Sequence, residues 1–202
     1  MTREDDLESL ANANGWTFSI EDQDDIASIP FRYFANGVAG VVMDTIEGER
    51  SGRDFVSFDY QWRMPSLGML EAESVVDSSC VLTALPVECP ELMVSHETAA
   101  HWLSHPGHHH VFTSERPDFA RAFRVTTTHP DFAAAVFDEA MEARLMEAGA
   151  DHDLCYEIAG PWSLVFTRQR EPQELPKVID AAVAFVLNIP PAAFEGRPVP
   201  AV

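Results

Sequence analysis

Six of the eight histidines fall in one stretch, Ser95 to His110 (SHETAAHWLSHPGHHH): His96, His101, His105, His108, His109 and His110. Imidazole is a common metal ligand, so spacing decides whether these rings can meet on one ion. His96-Glu97 followed by His101 resembles the zinc-protease helix H-E-x-x-H with one residue too many. At about 100° per helical residue, the two rings stand roughly 140° apart and cannot share a metal. His101 and His105 are four apart and share a helix face if the helix runs up to Pro106. His108 or His110 then offers a third ligand after the Pro106-Gly107 turn. The candidate metal residues are His101, His105 and His108, the ion a zinc-like divalent metal, and the chemistry metal-dependent hydrolysis. No cysteine or carboxylate stands where it would complete a tetrahedral set, and an exposed polar loop is the plainer reading of the segment.

No other constellation carries chemistry. The chain has no G-x-G-x-x-G, no Walker loop and no G-x-S-x-G elbow. Ser, His and Asp are present, but no spacing elevates any three of them. Arg121 and Arg124 flank a strand and offer an anion site, or partners for some of the carboxylates. Catalytic residues and a bound cofactor are therefore not expected. Cys80, Cys89 and Cys155 are an odd number without a C-x-x-C motif, which suits reduced thiols in a cytosol. Cys80 and Cys155 read as small core residues.

Charge excludes one class of partner. Thirteen basic residues face 33 acidic ones, a net charge of −20, which repels nucleic acid phosphates and anionic lipid. The acidity reads as a solubilising surface; the sharper alternative is a phosphate-mimicking inhibitor of a DNA-binding protein. No run reaches the length of a membrane span, and the start MTREDDLESL is acidic where a signal peptide is basic and then apolar. A cytoplasmic location follows as the expectation. At 202 residues the chain buries roughly 70% of its unfolded surface, so it needs no metal or disulfide to fold.

The elements that position these residues are legible from periodicity. Residues 2–14 read as a short helix, with Thr2 and Asp5 as a capping box and Gly15 as the stop. Trp16, Phe18 and Ile20 alternate as a half-buried strand, and Glu21 to Asp25 form an acidic turn. VAGVVMDTI and DFVSFDYQW read as a hairpin around GERSG, with Gly48 and Gly52 in the turn. In its second arm Phe55, Ser57, Asp59 and Gln61 share one face; Val56, Phe58, Tyr60 and Trp62 share the other, core-facing one. SVVDSSCVLTALPV is a third strand, stopped by Pro86 and Pro90. Phe119, Phe123 and Val125 lead through three threonines as an extended strand. Thr128 and Asp131 form a second capping box, and Phe132, Val136, Ala140 and Ala143, with Phe137, Met141 and Leu145 beside them, stripe a helix to Gly149. DHDLCYEIAG and PWSLVFTRQR read as another hairpin turning at Gly160-Pro161. Leu175, Val178, Ile179, Ala182, Val183 and Val186 stripe a last helix, with Pro176 in its first turn; Pro190 and Pro191 end it.

Several of these residues carry a resemblance. Gly48, Gly52, Phe55, Phe58, Asp59 and Tyr60, then Phe119, Phe123 and Val125, then Phe132, Met141 and Leu145, and finally Ile189-Pro190 stand in order. The pattern, roughly G-x-x-F-x-x-F-D-Y followed by F-x-x-x-F-x-V, resembles a family of uncharacterised actinobacterial proteins, over about residues 16 to 190. Its motifs are structural, the histidine segment is outside them, and broader relatives carry membrane spans ahead of this region. The resemblance implies an order of elements and transfers no catalytic residue.

The resulting expectation is an α+β fold. A largely antiparallel, twisted sheet of six or seven strands carries two amphipathic helices, 130–148 and 173–188, on one face. Residues 1–15 form an N-terminal helix, 16–190 a single domain and 191–202 a loose tail. The function expected is a non-enzymatic protein-interaction or assembly module with a protein partner. The metal-dependent hydrolase and the acidic nucleic-acid mimic are its alternatives.

Overall fold

The computed structural model describes residues 2–20, 24–35, 38–64, 74–96, 109–148 and 153–200. Seven strands form one open, antiparallel sheet: β1 (Thr17–Ser19), β2 (Val38–Arg50), β3 (Arg53–Met64), β4 (Ser74–His96), β5 (His110–Phe112), β6 (Phe123–Thr127) and β7 (Cys155–Arg168). They run in the order β1-β2-β3-β4-β6-β5, with β7 on the other edge of β4. The helices are α1 (Arg3–Asn14), α2 (Asp24–Ala27), α3 (Arg32–Ala35), α4 (Pro117–Ala122), α5 (Pro130–Val136), α6 (Glu139–Ala148) and α7 (Leu175–Leu187). The α+β, largely antiparallel architecture expected from the periodicities is the one observed.

The middle of the sheet is buried on both faces. On one face, α1 and α4 to α7 cover Phe55, Val81, Val94, Val125, Tyr156, Ile158 and Val165. On the other, α2, α3 and the segment joining them lay Ile26, Phe31 and Tyr33 over Val42, Phe58, Tyr60, Trp62, Leu82, Leu164 and Phe166. The aromatic side of β3 therefore faces a core, but one opposite the long helices. Alternation alone leaves open which layer covers which face. Tyr33 stacks on Phe166 at 3.9 Å between ring centres.

The longest departure from expectation is β4. It does not stop at Pro86 or Pro90 but runs 23 residues. Its first half pairs with β3 as far as Thr83, and its second half pairs with β6 from Leu92 onward. Both prolines lie in the gap between these partners, where, among the described residues, one edge of β4 has no strand beside it and a missing N–H costs no ladder bond. The register against β7 shifts there too, between Ala84, Cys89 and Leu92. Gly160 of β7 pairs with Cys89 at the same bend. Gly160-Pro161 thus kinks one continuous strand, and the expected hairpin does not form. The C-terminal segment read as a loose tail meets this gap. The Glu88 N–H donates to the Pro198 carbonyl at 2.9 Å, and the Arg197 guanidinium lies 4.4 Å over the Phe132 ring.

The helix starts meet expectation at one place and depart from it at three. Thr2 and Asp5 form the expected box on α1. Thr128 and Asp131 do not: His129 holds the N-cap position of α5 without a side-chain bond, and its N–H donates to Thr127 Oγ1. The helix expected over 130–148 breaks at Phe137, because Asp138 caps a new helix by accepting the Met141 N–H at 2.8 Å. The break turns Ala140 and Ala143 to solvent, while Phe132, Val136, Phe137, Met141 and Leu145 stay buried. Phe119, expected to open the strand, lies instead in α4, which has Pro117 in its first turn. In α7 all six stripe residues are buried, and Pro176 sits in the first turn as expected.

Gly48 and Gly52 have different duties. The β2–β3 turn is Ser51-Gly52, both at positive φ (54° and 75°), the conformation of a two-residue hairpin turn. Gly48 is not in the turn; it lies in β2 beneath Trp16, where a Cβ would come within 2.2 Å of the indole Cδ1. Gly48→Ala should displace Trp16 and cost about 1–3 kcal/mol by overpacking. Equilibrium urea unfolding checks this, with the loss expected to disappear in a Trp16→Leu background.

Candidate functional site

The histidines do not assemble into a site among the described residues. His101, His105 and His108, the metal candidates, lie outside those residues, as does His152. His96 ends β4 with its ring edge-on to Phe123 at 5.7 Å. His109 Nε2 lies 2.8 Å from Glu91 Oε2, and His129 Nδ1 lies 3.0 Å from Thr128 Oγ1. Among the described residues, no three His, Cys, Asp or Glu side chains stand close enough to hold a metal ion. The cysteines are free and buried. Burial pushes the Cys89 thiol up to about 11 and that of Cys155 to about 12, and raises Cys80 as well. All three are therefore poor thiolates at neutral pH.

Two buried carboxylates are bonded into the fold. Asp59, projecting from β3, receives Arg3 of α1 through two bonds, Nε to Oδ2 at 2.6 Å and Nη2 to Oδ1 at 3.0 Å. Ser79 Oγ donates to Oδ1 at 3.1 Å and Gln169 Nε2 to Oδ2 at 2.8 Å. Arg3 also donates to the Arg170 carbonyl. One carboxylate thus ties the N-terminal helix to β3, β4 and the end of β7. The alternation of β3 put Asp59 on the helix-covered face, but its partners come from 20, 56 and 110 residues away.

Glu157 of β7 does the equivalent on the opposite face. Its Oε1 accepts the Arg32 N–H at 2.6 Å and its Oε2 the Tyr33 N–H at 3.1 Å. Arg32 reaches across to Thr126 Oγ1 at 2.8 Å. Tyr33 Oη bonds Ser78 Oγ and accepts the Trp62 indole N–H. Burial pushes the Glu157 carboxyl up to about 7 against the opposing pull of the two amides and the Arg32 charge. Burial likewise lowers Arg32, opposed by Glu157 and Glu91. Nothing in the sequence around Glu157, a charge in an apolar strand, distinguishes it beyond its breach of the burial pattern.

A third acidic side chain differs. Glu142 of α6 is only 6% exposed, and it lies near enough to Arg116 to help raise the pKa of that guanidinium. It lines a cavity of about 580 Å³ between the segment after β5 and helices α5 and α6, with Phe112, Glu115, Arg116, Phe137 and Glu139. Arg116 is held by Asp118, Nε to Oδ1 at 2.8 Å and Nη2 to Oδ2 at 3.0 Å. Another groove, of about 250 Å³, runs between α6 and α7 over Tyr156 and Phe185. Among the described residues, neither hollow is lined by a histidine or cysteine. The sequence signal that could have marked Glu142 is its place one residue beyond the buried Met141. The broken helix concealed that placement.

Two stability measurements test this arrangement. Asp59 is almost fully buried and Arg3 a quarter exposed, so removing the arginine strands the deeper charge. Arg3→Ala should cost about 3 kcal/mol in urea unfolding, and adding Asp59→Asn should recover part of that loss. For Glu157, a folded-state value near 7 against the usual 4.5 means the folded chain keeps a proton that the unfolded chain has released. Its contribution is complete below about pH 4.5 and lost as pH rises through about 7, by up to about 1.4 kcal/mol per pH unit. Subtracting the pH–stability curve of Glu157→Gln from that of the unchanged protein should isolate this fall.

None of the described helices is long and apolar enough to cross a membrane. The sequence matches no protein-family profile and no curated protein. In fold, the chain is similar to the crystal structure of the mycobacterial trehalose monomycolate transport factor A, TtfA. The TM-score is 0.65 over 99% of this chain and 98% of that one, at 10% sequence identity. A likeness at that identity is one of architecture, and it extends from end to end of both chains.

Proposed function

We propose that this chain is a non-enzymatic binding module that acts by engaging a protein partner or joining an assembly. The carrying observation is how the fold uses its buried ionisable groups. Asp59, Arg32 and Glu157 are bonded inward, where they fasten helices to the two faces of the sheet. A transport factor with the same fold supports an accessory role of this kind. Its mycobacterial origin accords with the resemblance to actinobacterial proteins. We take the module to act in the cytoplasm, where three buried thiols remain reduced, and to avoid nucleic acid because of its net charge of −20.

Native mass spectrometry of untagged protein, purified from its own cells without chelator, tests the reading. The expected species is metal-free and carries a reproducible, stoichiometric protein partner. A stoichiometric metal that disappears when His101 and His105 are replaced would overturn it in favour of a hydrolase.

A further inference from the structure

Arg124 is a basic side chain that this acidic fold does not pair. Arg3, Arg50, Arg116 and Arg170 each reach a carboxylate. The half-buried side chain of Arg124 makes no hydrogen bond or ion pair among the described residues. Its Nε is sealed from solvent without an acceptor, and a buried donor left unmatched costs free energy. Arg121, the other arginine expected to serve an anion, is used differently: its Nε donates to the Pro117 carbonyl at 3.1 Å, on the exposed side of α4.

Arg124 lines a hollow of about 250 Å³ where the chain passes from β5 through α4 into β6. Its walls are aromatic: Phe112, and Phe119 stacked on Phe123 at 5.0 Å between ring centres. Among the described residues, none that lines it is acidic. Phe112 pairs with Val125, so the chain leaving β5 runs past Arg124 at Thr113 and Ser114. Ser114 is 9% exposed, and its Oγ accepts the Arg116 N–H at 2.9 Å. Its own proton has no acceptor among the described residues. A guanidinium and a hydroxyl that both lack an acceptor, set between apolar walls, suit one carboxylate. A single positive charge in a chain of net charge −20 favours a monoanion over a phosphate dianion. A cavity of about 150 Å³ already admits benzene, so this hollow has room for a ring or short alkyl chain behind the carboxylate. We infer that the hollow beside α4 binds a small organic acid, its carboxylate on Arg124 and Ser114 and its apolar body against Phe112, Phe119 and Phe123. The inference rests on this hollow and stands apart from the partner reading above.

Backbone-amide NMR of the full chain, titrated with 3-phenylpropanoate at about 0.15 M salt, tests it. The uncharged 3-phenylpropanamide and inorganic phosphate serve as controls. Saturable shifts are expected at Thr113, Ser114, Ala120 and Arg124. Binding should weaken at least about tenfold for the amide and in Arg124→Met, because each removes one side of a charge-assisted bond. Ala120→Leu, which fills the hollow and keeps every charge, should weaken binding similarly. Ligand-free Arg124→Met should melt no lower than the unchanged protein, because the guanidinium makes no bond to lose; a lower melting temperature would mark the arginine as structural and count against the site. Equal binding of the amide, equal shifts with phosphate, shifts scattered over the surface, or undiminished binding by both variants would overturn it.

Discussion

A sheet covered on both faces has no polar side to turn to water, and most of this fold follows from that constraint. β4 and β7 form its spine, and their middle residues alternate between two cores. The alternation expected of an antiparallel strand, apolar inward and polar outward, therefore fails in both. Every polar group placed on these strands must find a partner inside the protein, or pay the desolvation cost unaided. Asp59 and Glu157 find theirs on opposite faces. Each holds a helical segment against the sheet: Asp59 the N-terminal helix through Arg3, Glu157 the first amides of α3. The carboxylates are fasteners, and their placement turns a two-layer arrangement into three layers.

The same spine explains why one edge of the molecule is irregular. β4 is flanked by β3 along its first half and β6 along its second. The interval between them collects Pro86, Pro90, the shift in register and, across β7, Gly160. Sheets of this length coil, and the residues that tolerate a broken ladder gather where the coil is sharpest. The C-terminal segment lies against the interval, bonding Glu88 and covering Phe132 with Arg197. Beyond β6 the sheet ends in β5, and the helices crossing above it leave the hollow that Glu142 lines. The two buried carboxylates of the sheet are bonded within the fold, whereas Glu142 lies at the periphery, beside a hollow of about 580 Å³.

Amphipathic order was legible wherever an element meets a single layer. The stripe of α7, the capping box of α1 and the aromatic alternation of β3 all follow from local chemistry, and the structure keeps them. Punctuation was legible only as a set of special residues, without its meaning. Gly48 looks like a turn residue and instead makes room for Trp16. Pro86, Pro90 and Gly160-Pro161 look like ends and instead mark a bend. Asp138 looks like one more helix surface residue and instead starts a new helix. In each case the deciding partner is distant in sequence: an indole from β1, a missing neighbour strand, a helix that must turn to keep Phe137 and Met141 under cover.

The amino-acid sequence by itself determined the class of fold, the periodic faces of its helices and strands, and an acidity that repels phosphate. These depend on residues within a few positions of one another and on sums over the chain. Tertiary structure alone decided that the sheet would carry two cores and that Asp59 and Glu157 would be its fasteners. It alone placed Glu142 beside Arg116 at the edge of a cavity. Burial, and the electrostatics that burial amplifies, depend on what distant segments bring together, and no local pattern encodes that meeting.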